Sequence, residues 1–269
     1  MGRLVWDSEG EHLYETGTNH GVVWRMTGTG TYGKGEVWNG LTGVTESPSG
    51  AEANDVYADN IKYLSLLSAE TFAYTIECLN YPDSFAECNG MVEKTPGVTI
   101  GQQERKSFAF AYSTIYGNDT LGNKYGEKIH IYYNGKSSPS DKSYSTVNES
   151  PETITFSFEV NCTPVKVTED EFTCSIEIDS TEVDPDKFKA FKDIIYGTDA
   201  TEDSYVETTD ATMSASKTYY EKSGDSYVAT TDTTFDTEKT YYEKVAGTAE
   251  TDSSLPSPAE VIAFFAPAA

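Results

Sequence analysis

Alternation of apolar and polar residues at every second position is the feature that most limits what this chain can fold into. In the first such segment, Phe72 and Tyr74 fall on one phase and Glu77 falls on the other. The pattern occurs in five segments: 72–79, 107–112, 128–133, 153–160 and 172–179. Side chains of a β-strand point alternately to its two faces, so this period predicts half-buried strands. Turn-forming residues separate them at 81–83, 117–119, 134–135 and 138–140, which favours an antiparallel β-sandwich or barrel.

Two segments instead have the 3.6-residue period of a helix. The first is predicted near 185–196, where Asp184 is placed to cap the first free N–H groups. Its apolar residues share one face: Phe188, Phe191 and Ile195. The second follows Ser257, which with Glu260 has the spacing of a capping box. With 13% aromatic residues, the chain is thus predicted to be mainly β, with a flanking helix and a short C-terminal helix.

The segment between the two helices is duplicated. Residues 203–222 recur as 225–244, and each copy has a short Ser-Tyr-Val strand followed by a Thr-Tyr-Tyr strand. We expect each copy to form its own β-hairpin with little core, as an outward decoration. The chain is then divided into an N-terminal arm with the first strands (1–50), a β-domain core (51–198), the Tyr- and Thr-rich insert (199–253), and a C-terminal helix and tail (254–269).

The N-terminal region is predicted to be a flexible or hairpin-forming arm because it is rich in Gly and Thr. Its glycine run, 28–35, lacks the Lys-Ser/Thr pair of a P-loop and departs from the dinucleotide-binding pattern. The first residues lack the basic segment and apolar run of a signal peptide, and no apolar stretch approaches about 18 residues. We therefore expect a soluble protein made in the cytoplasm.

The charge balance excludes proteins that hold nucleic acid. The chain has 19 Lys and Arg against 44 Asp and Glu, a net charge of −25. Binding to phosphates gains affinity from cationic side chains that release counterions, whereas this chain repels polyanions and anionic membranes. Repulsion remains compatible with a surface along which DNA slides without binding.

Residues for catalysis or metal binding are few. Of the three histidines, His130 lies on the polar phase of a strand, which favours a surface or interface position. Cys162 and Cys174 lie on the apolar phases of strands, and the four cysteines contain no C-x-x-C, so buried thiols are favoured over disulfides or zinc ligands. Four carboxylates could suggest calcium, but their loop lacks the Gly and Glu of a calcium-binding loop: Asp179, Glu182, Asp184 and Asp186. Helix capping is favoured there, so we expect a non-enzymatic protein without a metal or cofactor.

From Tyr57-Ala58-Asp59-Asn60 onward the sequence resembles the major tail protein family of siphophages that infect Gram-positive bacteria. The likeness continues in order through 81–85, 97–105, 125–130, 150–153, 187–191 and 255–262. The order of these pieces carries the resemblance, since no single piece is diagnostic. The duplicated insert departs from a minimal member of the family.

The resemblance implies a tail-tube-type β-sandwich or barrel protomer with a flanking helix. Such protomers form rings, typically hexameric, that stack into the tail tube and meet the tape measure, tail terminator and tail tip proteins. The expected location is the virion tail, assembled in the host cytoplasm, with DNA passing through the tube without specific binding. Joining strands of neighbouring subunits would also remove exposed sheet edges.

An acidic lumen would keep phosphates from binding, so acidic residues on polar strand phases are candidates to line it. The four candidates are Glu77, Glu159, Glu177 and Asp179. Exposure on the outside of the tube is the alternative for them.

Two other functions fit the same sequence. An extracellular carbohydrate-binding or adhesin-like β-sandwich is one, because the tyrosines of 203–244 offer aromatic faces for sugars. A capsid-decorating protein is a weaker alternative.

Overall fold

The chain folds into two compact units, here given by a computed structural model that describes residues 5–144, 146 and 153–267. The main unit comprises Met1–Tyr196 with Ser253–Ala269, and the second unit is Gly197–Asp252. The strands are β1 (Leu13–Gly28), β2 (Thr31–Trp38), β3 (Leu41–Glu46), β4 (Ala53–Ala58), β5 (Ile61–Leu67), β6 (Ala73–Cys78), β7 (Val92–Thr95), β8 (Val98–Ile100), β9 (Phe108–Asn118), β10 (Gly122–Ser137), β11 (Phe156–Cys162), β12 (Val165–Lys166), β13 (Phe172–Thr173), β14 (Ser175–Asp179), β15 (Ser204–Glu207), β16 (Tyr219–Ser223), β17 (Ser226–Ala229) and β18 (Tyr241–Val245). The helices are α1 (Asp83–Cys88), α2 (Pro185–Tyr196) and α3 (Pro258–Phe265).

One antiparallel sheet organises the main unit. Its order is β2-β1-β9-β10-β11-β6-β3, and β14 pairs with the middle of the long strand β10. The fold is therefore mainly β, as the alternating segments predict. Four of the five predicted strands are present as single strands, although β9 and β10 extend well beyond the predicted bounds. The fifth, 172–179, is divided into β13, which pairs with β12, and β14, which pairs with β10.

Both faces of this sheet are covered by apolar side chains. The inner core consists of Val23, Trp38, Tyr74, Ile76, Cys78, Phe85, Cys88, Phe108, Phe110, Tyr112, Tyr132, Phe158 and Val160. The helix-side core consists of Val22, Trp24, Ala109, Ala111, Ile129, Ile131, Tyr133, Ile178, Phe188, Phe191, Ile195 and Val261. Successive residues of a central strand thus enter different cores: Tyr132 is in the inner one, whereas Ile131 and Tyr133 face α2 and α3.

The sheet curls so that its edges approach each other. The ring of Trp38, on edge strand β2, lies 5.4 Å from that of Phe110 and 6.3 Å from that of Phe158 on β11. Strands β1 and β3 also come close at Gly21, because a Cβ atom there would lie 2.5 Å from Leu41 Cδ1. A Cβ atom at this position would also lie 2.8 Å from the Trp38 carbonyl oxygen, so glycine alone fits without a shift of its neighbours. The closed shape of the sheet is barrel-like.

The two predicted helices are confirmed together with their caps. Asp184 Oδ1 accepts hydrogen bonds from the N–H groups of Asp186 and Lys187, both at 3.0 Å. The predicted apolar face of α2 is buried in the helix-side core. At α3, Ser257 and Glu260 form the capping box in both directions. These caps satisfy N–H groups that the helix itself leaves without partners.

Two turn predictions are wrong. The segment 81–83 leads into helix α1, whose Phe85 enters the inner core, and six residues are too few for a periodic signal. Asn134 and Gly135 lie inside β10, where the register shifts and Asn134 has a φ of +48°. Asn tolerates this left-handed conformation, so the pair forms a bulge that continues the strand.

The N-terminal region is part of the main sheet. β1 pairs with β2 on one side and β9 on the other, and Val23 and Trp24 are fully buried. The glycine run lies in the β1–β2 hairpin, so the hairpin-forming interpretation is the correct one and a flexible arm is not.

In the second unit, strands pair between the two copies of the duplicated segment. The order is β15-β18-β16-β17, so the first strand of copy one pairs with the last strand of copy two. A tight turn joins β16 of copy one to β17 of copy two. The expectation that each copy forms its own hairpin is therefore wrong. The two copies have nearly identical strands, so the exchanged pairing satisfies the same kinds of backbone hydrogen bond.

Tyrosines from both copies form one cluster on this four-stranded sheet. The rings of Tyr205 and Tyr227 stack at 4.1 Å with an interplanar angle of 7°. Tyr220 and Tyr242 meet them edge-on, each at 5.0 Å. Since Tyr205 belongs to copy one and Tyr227 to copy two, the cluster stabilises the exchanged arrangement.

Ion pairs also connect the two copies. Lys217 Nζ lies 2.9 Å from Asp210 of its own copy and 3.0 Å from Glu243 of the other copy. Lys239 repeats the arrangement in copy two. The hydrogen bonds to Asp210 and Glu243 raise the pKa of the Lys217 ammonium group. At neutral pH these lysines therefore connect the copies as cations.

We expect Tyr227→Ala to destabilise the second unit by about 2 kcal/mol, because it removes a half-buried ring stacked across the two copies. Hydrogen exchange should show reduced protection in β15 and β18, the strand pair that does not contain Tyr227. Val228→Ala, at an exposed position of the same strand, is the control and should leave protection unchanged. Reduced protection confined to β17 and its neighbour β16 would contradict the pairing of strands between the two copies.

Candidate self-assembly surfaces

Strands β4 and β5 form a separate two-stranded hairpin outside the main sheet. Asp59 and Asn60 form its two-residue turn, with φ angles of +52° and +66°. Positive φ at both turn positions matches the right-handed twist of the strands, and Asp and Asn tolerate it. On one face, Asp55 Oδ1 accepts hydrogen bonds from Lys62 Nζ at 2.7 Å and Ser65 Oγ at 2.6 Å. The hydrogen bond from Lys62 lowers the pKa of Asp55, with a smaller contribution from Ser65.

Most apolar side chains of this hairpin are exposed. Tyr57, Ile61, Tyr63 and Leu67 are between 63% and 74% exposed. Val56, Leu64 and Leu66 add a further exposed apolar row, in which Val56 pairs with Leu64 across the strands. A two-stranded hairpin is marginally stable in water by itself, and a contiguous exposed apolar patch is typical of an interaction surface. The β4–β5 hairpin is therefore the strongest candidate surface for self-assembly in the described residues.

Strands β7 and β8 form a second small hairpin. Gly97 closes its turn with a φ of +80°, and its N–H donates a hydrogen bond to Glu93 Oε1 at 2.7 Å. Val98 is 55% exposed. This hairpin presents less apolar surface than the β4–β5 hairpin.

The four lumen candidates do not lie on one surface. Glu77 on β6 pairs with Ser157, and Glu159 on β11 pairs with Thr75. Their neighbours along the strands, such as Ile76 and Phe158, enter the inner core. Glu77 and Glu159 therefore project together from the opposite face of these two strands, where both are exposed.

Glu177 and Asp179 lie on the inner-core face at the end of β14. They sit opposite His130 and Lys128 of β10 in the strand register. Lys128 Nζ lies 2.8 Å from Glu177 and 3.9 Å from Asp179. The hydrogen bond to Glu177 is the largest cause that raises the pKa of Lys128. Lys128 therefore partly neutralises Glu177 and Asp179. The four lumen candidates form two separate acidic surfaces, one on β14 and the other on β6 and β11.

The surface position predicted for His130 is wrong, because its side chain is 9% exposed. The interface position stays a prediction. Its ring stacks on Tyr112 at 4.7 Å, and Nε2 lies 3.0 Å from Thr114 Oγ1 and 3.1 Å from Glu15 Oε1. β1 brings Glu15 across this end of the sheet, so the polar phase of β10 is covered there. Glu15 could not be predicted as part of this group, because its segment is rich in Gly and Thr and has the sequence character of an arm.

The group around His130 does not have the geometry of a catalytic relay. A base that activates a hydroxyl contacts the nucleophile with one ring nitrogen and an orienting acid with the other. Here Nε2 faces both Thr114 and Glu15, and the Thr114 hydroxyl donates to Glu15 at 2.6 Å. The other ring nitrogen, Nδ1, lies 3.7 Å from Glu177 Oε2, which is too far for a hydrogen bond. Burial raises the pKa of Glu15, but the hydrogen bond from Thr114 and the charges of His130 and Lys128 outweigh it and lower the pKa overall. The group therefore acts as a structural network.

The carboxylates and thiols considered for metal binding have other roles. Asp179 Oδ1 accepts hydrogen bonds from the N–H of Thr181 at 2.8 Å and from its hydroxyl at 2.6 Å. Within 5–144, 146 and 153–267, no group of three or more His, Cys, Asp or Glu side chains is placed to hold a metal ion. All four cysteines are free. Burial raises the pKa of Cys78 to about 11 and that of Cys88 to about 12, so these thiols stay protonated at neutral pH.

Among the described residues, no helix has the length and apolar character needed to cross a membrane. Neither a protein-family model nor a curated protein sequence matches this chain.

Proposed function

We propose that this chain is a structural protein that assembles with copies of itself into the stacked rings of a phage tail tube. The observation that supports it best is the β4–β5 hairpin, whose apolar side chains face solvent in the single chain. Covering them with a second copy would remove this apolar area from water, at about 25 cal/mol per Å².

Self-association of this chain needs an apolar contact of this kind. Copies with a net charge of −25 repel one another at neutral pH. An exposed hairpin that buries its leucines and tyrosines against a neighbour would supply the opposing free energy. The same repulsion suits a tube through which DNA passes without specific binding, because phosphates find few cations to bind.

The further parts of the proposal follow from the sequence resemblance. The rings would be hexameric, located in the virion tail after assembly in the host cytoplasm, and in contact with the tape measure, tail terminator and tail tip proteins. The protein would have no catalytic role and no cofactor. The exposed pair Glu77 and Glu159 is the better lumen candidate, since Glu177 and Asp179 already contact Lys128.

The carbohydrate-binding alternative depends on the tyrosines of the second unit. A sugar stacks on an open aromatic face, but Tyr205 and Tyr227 present faces to each other and meet Tyr220 and Tyr242 edge-on. These contacts occupy part of the aromatic surface that a sugar would use. The self-assembly proposal is therefore favoured.

We expect sedimentation velocity of the purified chain to show species that grow from monomer to discrete oligomers as concentration rises from about 1 to 100 μM, the range in which modest interfaces associate. Added salt should strengthen association, because it screens the repulsion between acidic copies. A single monomer peak across the whole range, at low and high salt, would contradict the proposal.

A further inference from the structure

A cavity of about 630 Å³ lies at the end of the main sheet where β1 turns into β2. Its lining includes Met26, Gly28, Arg105, Lys106, Lys136 and Val165. These residues come from the β1–β2 turn, the segment before β9, the end of β10 and strand β12. The cavity therefore combines apolar side chains with long cationic ones.

Its charge is opposite to that of the chain as a whole. Three cationic side chains and one carboxylate, Glu104, line it, whereas the chain has a net charge of −25. One of the three cations, Lys106, is paired with Glu87 at 2.9 Å, so Lys136 and Arg105 supply most of the positive charge. Arg105 is held in place, because Nη1 donates hydrogen bonds to Asn89 Oδ1 at 3.1 Å and to the Ser137 carbonyl at 3.0 Å. Lys136 is exposed at the cavity wall. The cavity is thus a preformed site for an acidic partner.

An acidic segment with exposed apolar residues lies at the opposite end of the same strands. β1 pairs Leu13 with Asn118 at that end and Arg25 with Phe108 near the cavity, which places the two ends about 35 Å apart at the rise of extended strands. Residues 5–11 precede β1 and contain three carboxylates and no Lys or Arg. Val5 and Trp6 in this segment are 72% and 73% exposed.

Contacts with β9 hold this segment at its end of the sheet. The N–H of Gly10 donates a hydrogen bond to Asp119 Oδ1 at 3.0 Å, and Asn118 Nδ2 donates to the Gly10 carbonyl at 3.0 Å. The segment therefore cannot reach the cavity of its own chain, and a second copy must supply the partner.

We propose that residues 5–11 of one copy dock into the cationic cavity of the next copy, with Trp6 against Met26 and Val165 and the carboxylates near Lys136. This inference rests on the proposed self-assembly and names the contact between successive copies. Because the two surfaces differ and lie at opposite ends, the contact is head-to-tail, which is the kind of contact that stacking into a tube requires.

Charge reversal in the full chain tests the docking. Lys136→Glu and Glu9→Lys change exposed residues, and each should raise the lowest concentration at which assembly is seen by light scattering about tenfold. Combining them restores an opposite-charge pair and should return that concentration to within about threefold of the unmodified chain. Lys94→Glu, exposed on β7 and not part of the cavity lining, is the control and should have little effect. Thermal melting checks that each variant is folded.

The two single variants also separate docking from general repulsion. Glu9→Lys makes the net charge less negative, so general repulsion alone would predict easier assembly, whereas docking predicts harder assembly. If the unmodified chain assembles and Glu9→Lys and Lys136→Glu assemble equally well, the docking is overturned and the proposed function stands. If the unmodified chain stays monomeric, the proposed function fails and the docking fails with it.

Discussion

Replacing Leu64 and Leu66 by Asp in the β4–β5 hairpin is expected to abolish assembly while the main unit stays folded. Both side chains contact solvent in the single chain, at 38% and 56% exposure, and their hairpin lies outside the main sheet, so the two cores of that sheet are unchanged. In an assembled interface each Asp would be buried without a partner, which costs several kcal/mol per subunit contact. Sedimentation velocity should show only monomer at concentrations where the unmodified chain assembles.

The matched control introduces the same charge elsewhere. Val206→Asp with Val228→Asp also replaces two exposed apolar strand residues, here in the second unit. This variant should assemble like the unmodified chain, because neither residue belongs to the proposed contact. Normal assembly of the Leu64 and Leu66 variant would remove the hairpin from the interface.

Phe158→Ala is expected to lower the free energy of unfolding of the main unit by about 3–5 kcal/mol. Phe158 is fully buried in the inner core, and its ring lies 4.9 Å from Phe85 and 5.4 Å from Tyr81. Removing the ring leaves a cavity between α1 and β11 that neighbouring aromatic rings are too rigid to fill. Urea unfolding followed by circular dichroism measures the loss, which is a large part of a domain's usual 5–15 kcal/mol.

Phe172→Ala provides the comparison for this core substitution. Phe172 is 60% exposed, so the same chemical change should cost well under about 1 kcal/mol. Equal losses for the two variants would contradict the assignment of Phe158 to the core.

The sequence predicts the strands and helices well where local pattern decides them. The alternation at 72–79 and 128–133 yields β6 and the centre of β10, and the caps at Asp184 and Ser257 mark where α2 and α3 begin. The prediction fails where an element is too short to show a periodic pattern. α1 has only six residues, and its N-cap position, Pro82, makes no side-chain capping bond.

Pairing within the second unit could not be predicted for a different reason. Both copies have the same strand sequences, so the pattern cannot distinguish pairing within a copy from pairing between copies. The stacking of Tyr205 on Tyr227 favours pairing between the copies, and this contact is visible only in the folded structure.

The candidate surfaces were only partly predictable. A polar strand phase indicates that a carboxylate leaves the apolar face, but it does not say which face of the assembled sheet that is. Glu177 lies beside Lys128 because β14 pairs with β10, a contact between residues 49 positions apart. The exposure of the leucines in β5 could not be predicted either. An apolar run indicates burial, but it does not show whether the chain itself or a partner covers it.

Electron microscopy of the purified full-length chain tests the central claim most directly. Assembly into a tail tube predicts rings of uniform diameter with a central hole, and stacks of such rings at higher concentration. Isolated particles of monomer size at every concentration, or irregular aggregates without a channel, would contradict it.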